Sequence, residues 1–398
     1  MKPLSDKTQG LTQSGIRAIT KLVNEVEGIN LGQGICDMPT PSPIKEAAKQ
    51  AIDADKSIYT PFAGIRRLQE ALLDKAGSFN RLPCTSRDEI MVSAGSTGAF
   101  VTAIFSLLDP GDEIILFEPY YGYHVNIIAL TGATVRTVQL KSPAWDVDFD
   151  ELREAIGPRT KAVLLNTPTN PTGKVWRRDE LETLLAILIE YDLFAITDEI
   201  YEYMVYDGGE HVSLASLPGA YERTITISGF SKTYNMTGWR LGYAVGPTSI
   251  IEPMGLLNDL FYICAPSPLQ HGILEAFEMP DSYFDHMLSE YDKKRTMICE
   301  TLEDVGFDVT PPAGSYYVFA GFRALRETLE GFEDDMTACE TLIRQTGVAT
   351  IPGRSFFDDP EDGRLYLRFC YAKEFDVLED ACLRLRRGVP AIARSVVP

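Results

Sequence analysis

Short apolar segments alternate with longer amphipathic ones through the middle of the chain. The short segments have the length and composition of strands and lie at residues 90–93, 113–117, 134–140, 161–166, 193–197, 224–228 and 241–245. Between them come helical patterns such as 179–191, where apolar residues recur on one face. Because a helix between two strands carries the chain across a sheet, the alternation predicts an α/β fold with a mostly parallel sheet.

The pattern changes after about residue 280, where a long helical pattern precedes shorter segments. These shorter segments are strands near 307–309, 315–319 and 348–351, and helices at 336–347 and up to about 387. The 398 residues are enough for two domains. We predict a large domain at residues 45–280, a smaller α+β domain at 281–398, and an N-terminal segment, residues 1–44, that joins the small domain.

The composition argues against several classes of partner. The chain has 37 Lys and Arg residues against 57 Asp and Glu residues, which gives a net charge of −20. This balance disfavours nucleic acids and anionic membrane surfaces, because both attract basic patches. No uninterrupted apolar run approaches the roughly 18 residues of a transmembrane helix, and the N-terminus has no signal-peptide pattern.

Cysteine and histidine usage is typical of a cytoplasmic protein without a metal centre. The seven cysteines are odd in number and never spaced C-x-x-C, which indicates reduced thiols rather than disulfides or a zinc site. The four histidines form no H-x-x-x-H pair. We therefore expect a cytoplasmic location and no bound metal.

Polar segments follow several of the predicted strands. They are residues 95–98, 166–173, Asp198 and 228–232. Ligands of parallel sheets bind at the carboxyl ends of strands, so we expect these four segments to form one site. The last of them opens the stretch SGFSKTYNMTGWRLGYAVG, which contains Lys232 and Arg240.

Lys232 and Arg240 together indicate a covalently held phosphate cofactor. An amine forms a Schiff base with a carbonyl compound or with pyridoxal phosphate, and a guanidinium binds phosphate through two hydrogen bonds. Ser96 and Thr97 begin a helix, whose free amides bind anions, and with Ser231 they complete a phosphate cradle. The alternatives are a solvated surface loop and plain helix capping.

Four further residues suit a pyridine ring and the carboxylate of a substrate. Asp198 can keep the ring nitrogen protonated, or it can cap a helix at 199–204. Asn170 and Tyr201 can donate to the phenolic oxygen, although the sequence around Asn170 is also a good turn. Arg368, within the apolar LYLRFCYA, is either a clamp for a substrate carboxylate or half of a structural ion pair.

The sequence resembles the class I aminotransferases, pyridoxal-phosphate enzymes of fold type I. It is most similar to the branch with prokaryotic aspartate and aromatic aminotransferases and kynurenine aminotransferases. The resemblance runs from about residue 15 to the end. It rests on NLGQGICDMPTP, YTPFAG, EPYYGY, NTPTNPTG, TDEIYEYM, GFSKTYNMTGWRLGY, IPGRSFF and LYLRFCYA, in the family's order.

The resemblance implies a seven-stranded sheet, a smaller α+β domain and a role for each site residue. Lys232 forms the Schiff base and moves the proton, with Asp198 and Tyr201 as its catalytic partners. The implied cofactor contacts are Ser96, Thr97, Tyr121, Asn170, Asp198, Tyr201, Ser231, Lys232 and Arg240. Tyr59 reaches the phosphate of a neighbouring subunit, which implies a homodimer with shared sites. Gly34, Asn170 and Arg368 bind the substrate.

Three positions depart from the family pattern. Gly229 stands where many members have a phosphate-binding serine, and Ser228 or Ser231 could compensate. Cys36 replaces a usual proline. Thr97 stands where some aspartate-preferring members have lysine, which favours aromatic, neutral or mixed substrates.

The resemblance implies an aminotransferase that moves an amino group from an L-amino acid to a 2-oxo acid by a ping-pong mechanism. A C–S β-lyase or other carbanion chemistry on the same fold is the first alternative, although residues 235–238 read NMTG rather than the lyase-like N-x-A-G. An aminotransferase for a modified or sugar-like substrate is another. A non-catalytic regulator that binds the cofactor is the remote alternative, because little chain precedes residue 30 to form a DNA-binding module.

Overall fold

The computed structural model describes residue 5 and residues 16–392. Near the N-terminus, helix α1 (Ile16–Glu25) leads into the short strand β1 (Ile29–Asn30). Helices α2 (Ser42–Asp53) and α3 (Arg66–Ser78) follow, and both pack beside the central sheet region. These three helices precede the first strand of the central sheet.

A seven-stranded sheet forms the centre of the molecule. Its strands are β2 (Ile90–Ala94), β3 (Glu113–Glu118), β4 (Thr134–Gln139), β5 (Thr160–Asn166), β6 (Phe194–Asp198), β7 (Thr224–Gly229) and β8 (Leu241–Val245). Their order is β2-β8-β7-β6-β5-β3-β4, and only β8 runs antiparallel to its neighbours. The predicted α/β fold with a mostly parallel seven-stranded sheet is confirmed.

Helices cover both faces of this sheet. They are α4 (Gly95–Leu107), α5 (Gly122–Thr131), α6 (Phe149–Ala155), α7 (Arg178–Glu190), α8 (Thr248–Tyr262) and α9 (Ser267–Gly272). On α7, Leu181, Leu184 and Leu188 are fully buried, as the helical spacing predicted. Burial of each such side chain contributes roughly 1.5–3 kcal/mol relative to exposure.

Helices α8 and α9 lie where the sequence pattern predicts no helix. Pro253 stands inside α8, and a proline removes a hydrogen-bond donor and normally ends a helix. Several apolar residues of α8 are exposed, so its apolar positions do not mark one face. Tertiary packing against α4 and β2 stabilises the helix where its local sequence does not.

The C-terminal part is a smaller α+β unit. Its elements are α10 (Asp281–Asp304), β9 (Tyr317–Gly321), α11 (Arg323–Thr328), α12 (Asp335–Thr346), β10 (Val348–Ala349), β11 (Ile351–Pro352), α13 (Pro360–Gly363), β12 (Tyr366–Cys370) and α14 (Phe375–Gly388). Strands β11, β12 and β9 form an antiparallel sheet in that order. The strand predicted near 307–309 is only an isolated pairing of Asp308 with Gly321.

The N-terminal segment packs on this smaller unit. Strand β1 pairs in parallel with β10, so that Ile29 lies opposite Val348. Ile19 and Val23 belong to the same apolar core as α10, α12 and α14. The division at residues 44 and 280 stays a prediction. In the described part of the chain, no helix is long and apolar enough to cross a membrane.

Glu118 is a buried carboxylate at the end of β3, where the two units meet. It accepts a hydrogen bond from the backbone N–H of Asp358, and Tyr120 donates from its backbone to Phe356. Burial, together with smaller contributions from the nearby charges of Asp358 and Asp362, raises the pKa of Glu118 to about 7.

Glu118 makes the stability of the fold depend on pH. An unfolded glutamate has a pKa of about 4.3, so between that pH and about 7 the folded state binds the extra proton. Its contribution is complete below about pH 4.3 and is lost as pH rises through about 7. The melting temperature of the wild type should therefore fall relative to that of Glu118→Gln between pH 5 and pH 8, as measured by thermal unfolding. Glu154→Gln, at an exposed position of α6, is the control.

Candidate active site

The carboxyl ends of the central strands converge as the sequence predicted. Asn166 ends β5, Asp198 ends β6, and Gly229 ends β7, three residues before Lys232. These three strands are adjacent in the sheet. The polar residues that follow them therefore face one space at this edge, which strand β12 of the smaller unit also borders.

The amine of Lys232 lies in this space between aromatic rings. Its Nζ donates to the carbonyl of Gly34 at 3.1 Å and lies 5.4 Å from the ring centre of Tyr316 and 5.9 Å from that of Tyr201. Burial lowers the pKa of Lys232 to about 8, with a smaller lowering contribution from the positive charge of Arg368 included in that value. The amine therefore has a substantial neutral, nucleophilic fraction near neutral pH.

Asp198 is buried and hydrogen-bonded to a histidine. Its Oδ2 lies 3.1 Å from Nε2 of His124, whose ring packs on Phe100 and stands perpendicular to Tyr121. Residues 199–204 form turns rather than a helix, so Asp198 is not a helix cap. Its other oxygen accepts from the backbone of Ile200 at 3.3 Å.

Arg368 is a buried cation without a carboxylate partner in the described structure. Its side chain donates to Oδ1 of Asn170 at 2.8 Å and to the carbonyl of Gly32 at 2.6 Å. The guanidinium stacks over Tyr317 at 4.4 Å, and its Nε has no hydrogen-bond partner. Arg368 is 4% exposed. Among the described residues Arg368 forms no ion pair, so its buried charge is left without a negative partner there.

The residues of the expected phosphate cradle also lie together. A Cβ atom on Gly95 would lie 2.5 Å from Nη2 of Arg240, and one on Gly242 would overlap the backbone of Gly95 and Ser96. Gly95 has φ of +75°, which glycine adopts without strain. Close backbone packing thus brings the first turn of α4 against the Arg240 guanidinium.

The alternative of helix capping is not realised. Ala94 precedes α4 and no side chain caps it, so the hydroxyls of Ser96 and Thr97 do not serve as caps. Ser96 is half-buried, Thr97 is exposed, and Ser231 is buried. The amides of this first turn are available to an anion.

The structure explains two of the departures from the family pattern. A Cβ on Gly229 would lie 3.1 Å from the carbonyl oxygen of Leu241, so a serine side chain would crowd strand β8. Ser228 cannot compensate, because its hydroxyl donates to a carboxylate oxygen of Glu202 at 2.7 Å. The thiol of Cys36 donates to Oδ1 of Asn235 at 2.8 Å, an interaction that proline cannot make.

The remaining predicted residues have clear positions. Tyr201 is buried, and its hydroxyl lies 3.1 Å from that of Tyr317. Tyr121 is half-buried and stacks on Tyr123, with ring centres 5.2 Å apart. A Cβ on Gly34 would overlap the hydroxyl of Tyr317, so glycine is needed there. Tyr59 is 78% exposed and lies apart from the cluster within this chain.

Sequence reasoning missed three residues of the site. His124, Tyr316 and Tyr317 contact Asp198, Lys232 and Arg368 respectively. His124 is three positions after Tyr121, on the first turn of α5, and this spacing was the available signal. Tyr317 begins the distant strand β9, and Tyr316 directly precedes it. No local sequence pattern connects them with the site residues at the end of β6.

Glu199, Glu202 and His211 bring possible metal ligands within 4.8 Å of one another. Their carboxylate oxygens already have protein partners. Those of Glu199 accept from Thr197, Ser213 and His211, and those of Glu202 accept from Lys75, Asn80, Ser228 and Tyr243. The cluster is hydrogen-bonded within the protein and needs no cation to satisfy its acceptors.

Comparison with known proteins gives this arrangement its family. The sequence model of the family described as aminotransferase class I and II matches residues 26–385 of this chain. The chain is 32% identical to aromatic-amino-acid aminotransferase 2 of Thermococcus litoralis, over 96% of this chain and 97% of that one. It is 33% identical to human kynurenine–oxoglutarate transaminase 1, over 92% and 94% of the two chains.

A solved structure of aspartate aminotransferase from Thermus thermophilus, a single mutant, matches with a TM-score of 0.90. The identity is 32%, over 97% of this chain and all of that one. The chain belongs to the class I and II aminotransferases. Members of this family are pyridoxal-phosphate-dependent enzymes, and the chain is an aminotransferase of this kind.

The burial of Lys232 has a measurable consequence. In the cofactor-free protein, competitive labelling of the amine with acetic anhydride should be half-maximal near pH 8, because the pKa is about 8. An ordinary lysine titrates near 10.4. Arg368→Gln should move the midpoint upward, since it removes a nearby positive charge. Mass spectrometry of the Lys232 peptide reports the profile, and a midpoint above pH 10 in the wild type would contradict the desolvated environment.

Proposed function

We propose that the enzyme transfers the amino group of aromatic or neutral L-amino acids to a 2-oxo acid, with pyridoxal phosphate held at Lys232. The observation that carries the substrate side of this proposal is Arg368, a buried cation whose partners in the described chain are uncharged. A substrate carboxylate would supply the missing negative charge through two hydrogen bonds.

The residues present fit the cofactor. The amine of Lys232, the first turn of α4 beside Arg240, and the buried carboxylate of Asp198 offer a nucleophile, an anion site and a counter-charge. The amides of Ser96 and Thr97, with Ser231 and Arg240, would hold the phosphate. Tyr121 would stack on the ring, and Asn170 and Tyr201 would donate to its oxygen. When bound, pyridoxal phosphate supplies an electron sink for the substrate's α-carbon.

The chain's own groups then position the substrate and move its proton. Arg368 orients the substrate carboxylate, and its bond to Asn170 fixes the plane of the guanidinium. Lys232 can carry a proton at Nζ, because a pKa of about 8 lets the amine both accept and release it near neutral pH. His124 holds Asp198 in place at 3.1 Å. The rings of Tyr201 and Tyr316 limit water around the amine.

An aromatic or neutral substrate range is supported by the surroundings of Arg368. The rings of Tyr317 and Phe356 lie 4.4 and 5.0 Å from its guanidinium carbon. Thr97 provides no cation for a second substrate carboxylate, unlike the lysine of some aspartate-preferring members. The relatives named above act, by their names, on aromatic amino acids, kynurenine and aspartate.

We also propose a cytoplasmic homodimer with shared sites. Exposed apolar side chains lie on α8 and on the segment that precedes α3: Leu256, Leu260, Phe261, Ile58, Tyr59 and Phe62. The two segments touch, since Asn258 of α8 donates to the carbonyl of Phe62 at 2.7 Å. Tyr262, at the end of α8, borders Gly98 of α4. A second copy on this surface would bring its Tyr59 toward the phosphate cradle.

Replacement of Lys232 tests the catalytic assignment. Lys232→Ala should lower the transamination rate by about 10²–10⁴-fold or more, because both the covalent anchor and the proton carrier are lost. The assay measures keto-acid formation from a panel of aromatic, neutral and acidic L-amino acids, with pyruvate or 2-oxoglutarate as acceptor. Lys49→Ala, at an exposed position of α2, is the control.

Three outcomes of this assay would contradict the proposal or a part of it. Wild-type transamination rates in Lys232→Ala would show that the lysine is not catalytic. Release of pyruvate from a sulfur-containing donor without any added oxo acid would favour the β-lyase alternative. A preference for acidic donors across the panel would reject the aromatic or neutral range while leaving transamination intact.

Leu260 tests the dimer. It is 78% exposed, so Leu260→Glu should leave the fold intact but place a charge in the proposed interface. Analytical ultracentrifugation should give a dimer for the wild type and a monomer for the variant, with activity lost in parallel. The control variant Leu383→Glu changes an exposed position of α14, and this variant should remain dimeric. A monomeric wild type, or a dimeric Leu260→Glu, would overturn the interface.

A further inference from the structure

A second cleft opens on the smaller unit, beside the loop that follows β4. Its volume is about 480 Å³, within the range of small-molecule sites. Trp145, Phe319 and Tyr366 form its aromatic floor, and Asp308 and Arg323 lie at its rim. None of these five residues belongs to the cluster around Lys232, so the cleft is separate from the site described above.

The floor of the cleft is a built aromatic surface. The rings of Phe319 and Tyr366 stack with centres 5.0 Å apart and an interplanar angle of 7°. The indole of Trp145 lies 5.8 Å from each of them. Trp145 and Phe319 are buried, so the half-buried ring of Tyr366 is the aromatic surface that a planar ligand can reach.

The backbone at Trp145 is unusual. Its φ is +59°, a region that bulky residues rarely adopt and that persists only when the surroundings hold it. The loop is closed by a pairing of Lys141 with Asp146, which fixes the indole against the smaller unit. Strained backbone of this kind is concentrated at ligand sites, and here it forms one wall of the cleft.

The rim carries one charge of each sign. Asp308 and Arg323 are both exposed, and in the described chain neither side chain makes an ion pair or a hydrogen bond. The backbone of Asp308 pairs with Gly321, two residues before Arg323, and both charged residues line the cleft. They do not approach within ion-pair distance of each other, which leaves both available to a ligand.

We propose that this cleft binds an aromatic α-amino acid in its zwitterionic form. The ring would pack on the half-buried Tyr366, the carboxylate would pair with Arg323, and the ammonium group would pair with Asp308. An aromatic carboxylate without an amine would leave Asp308 unpaired, and an aliphatic zwitterion would leave the floor uncovered. The combination selects for ring, amine and carboxylate together.

The cleft is joined to the candidate active site through shared strands. Phe319 of β9 lies opposite Arg368 of β12, and Tyr366 precedes Arg368 by two residues on the same face. Phe356 contacts both, at 5.5 Å from the ring of Phe319 and 5.0 Å from the guanidinium carbon of Arg368. A ligand packed on Tyr366 therefore lies against the strand that holds the substrate-facing arginine.

Calorimetric titration of the holoenzyme with α-methyl-L-phenylalanine tests the proposal. This probe has no α-hydrogen, so transamination cannot consume it. The wild type should bind two molecules per chain, one in each site. Arg323→Gln should bind one, and Asp308→Asn should bind the second at least tenfold more weakly. Arg344→Gln, which removes an exposed arginine of α12 outside the cleft, should still bind two.

Cofactor absorbance, recorded in the same titration, reports the catalytic site alone. Its midpoint should be unchanged in Arg323→Gln. α-Aminoisobutyric acid, which has the zwitterion without the ring, should fill no second site. One molecule per chain in the wild type, or unchanged binding of two in Arg323→Gln, would overturn the proposal. Failure of the aminotransferase assignment would instead appear in the absorbance signal and the transamination assay, independently of the second molecule.

Discussion

One buried guanidinium joins three distant parts of this chain. Arg368 lies on β12 of the smaller unit, and it donates to Asn170, which follows β5, and to Gly32, which follows β1. Burying a cation costs several kcal/mol unless it is compensated, and uncharged partners compensate only in part. The smaller unit, the central sheet and the N-terminal segment are therefore organised around a positive charge that a substrate carboxylate can neutralise.

The charges around this arginine form a consistent pattern. Lys232 is desolvated, and Arg368 further lowers its pKa, so the amine is poised near neutral pH. Asp198 is held by His124, and Arg240 lies against the first turn of α4. Beneath the strand ends, the carboxylates of Glu199 and Glu202 are satisfied by their own partners. Glu199 and Glu202 therefore do not compete for the cations of the site.

Sequence reasoning reached the residues whose chemistry is local. Asp198 and Lys232 come at or just after the ends of predicted strands, whose carboxyl ends meet at one edge of a parallel sheet, and Arg240 lies in the same motif as Lys232. Sequence reasoning did not reach His124 or Tyr317, because their roles depend on contacts across 74 and 116 residues of chain. It also missed α8, whose internal Pro253 and exposed leucines hide the helical pattern until a packing surface is known.

The sequence by itself determined the fold class and the family. Its alternating periodicities define an α/β chain, and its motifs define the family. Only the tertiary structure decided which alternative each residue follows. Arg368 forms no ion pair among the described residues, and Ser96 and Thr97 do not cap α4. The hydroxyl of Ser228 donates a hydrogen bond to Glu202. The physical reason is that periodicity and turn chemistry act over a few residues, whereas burial and the choice of hydrogen-bond partner are set by segments that meet only in the folded state.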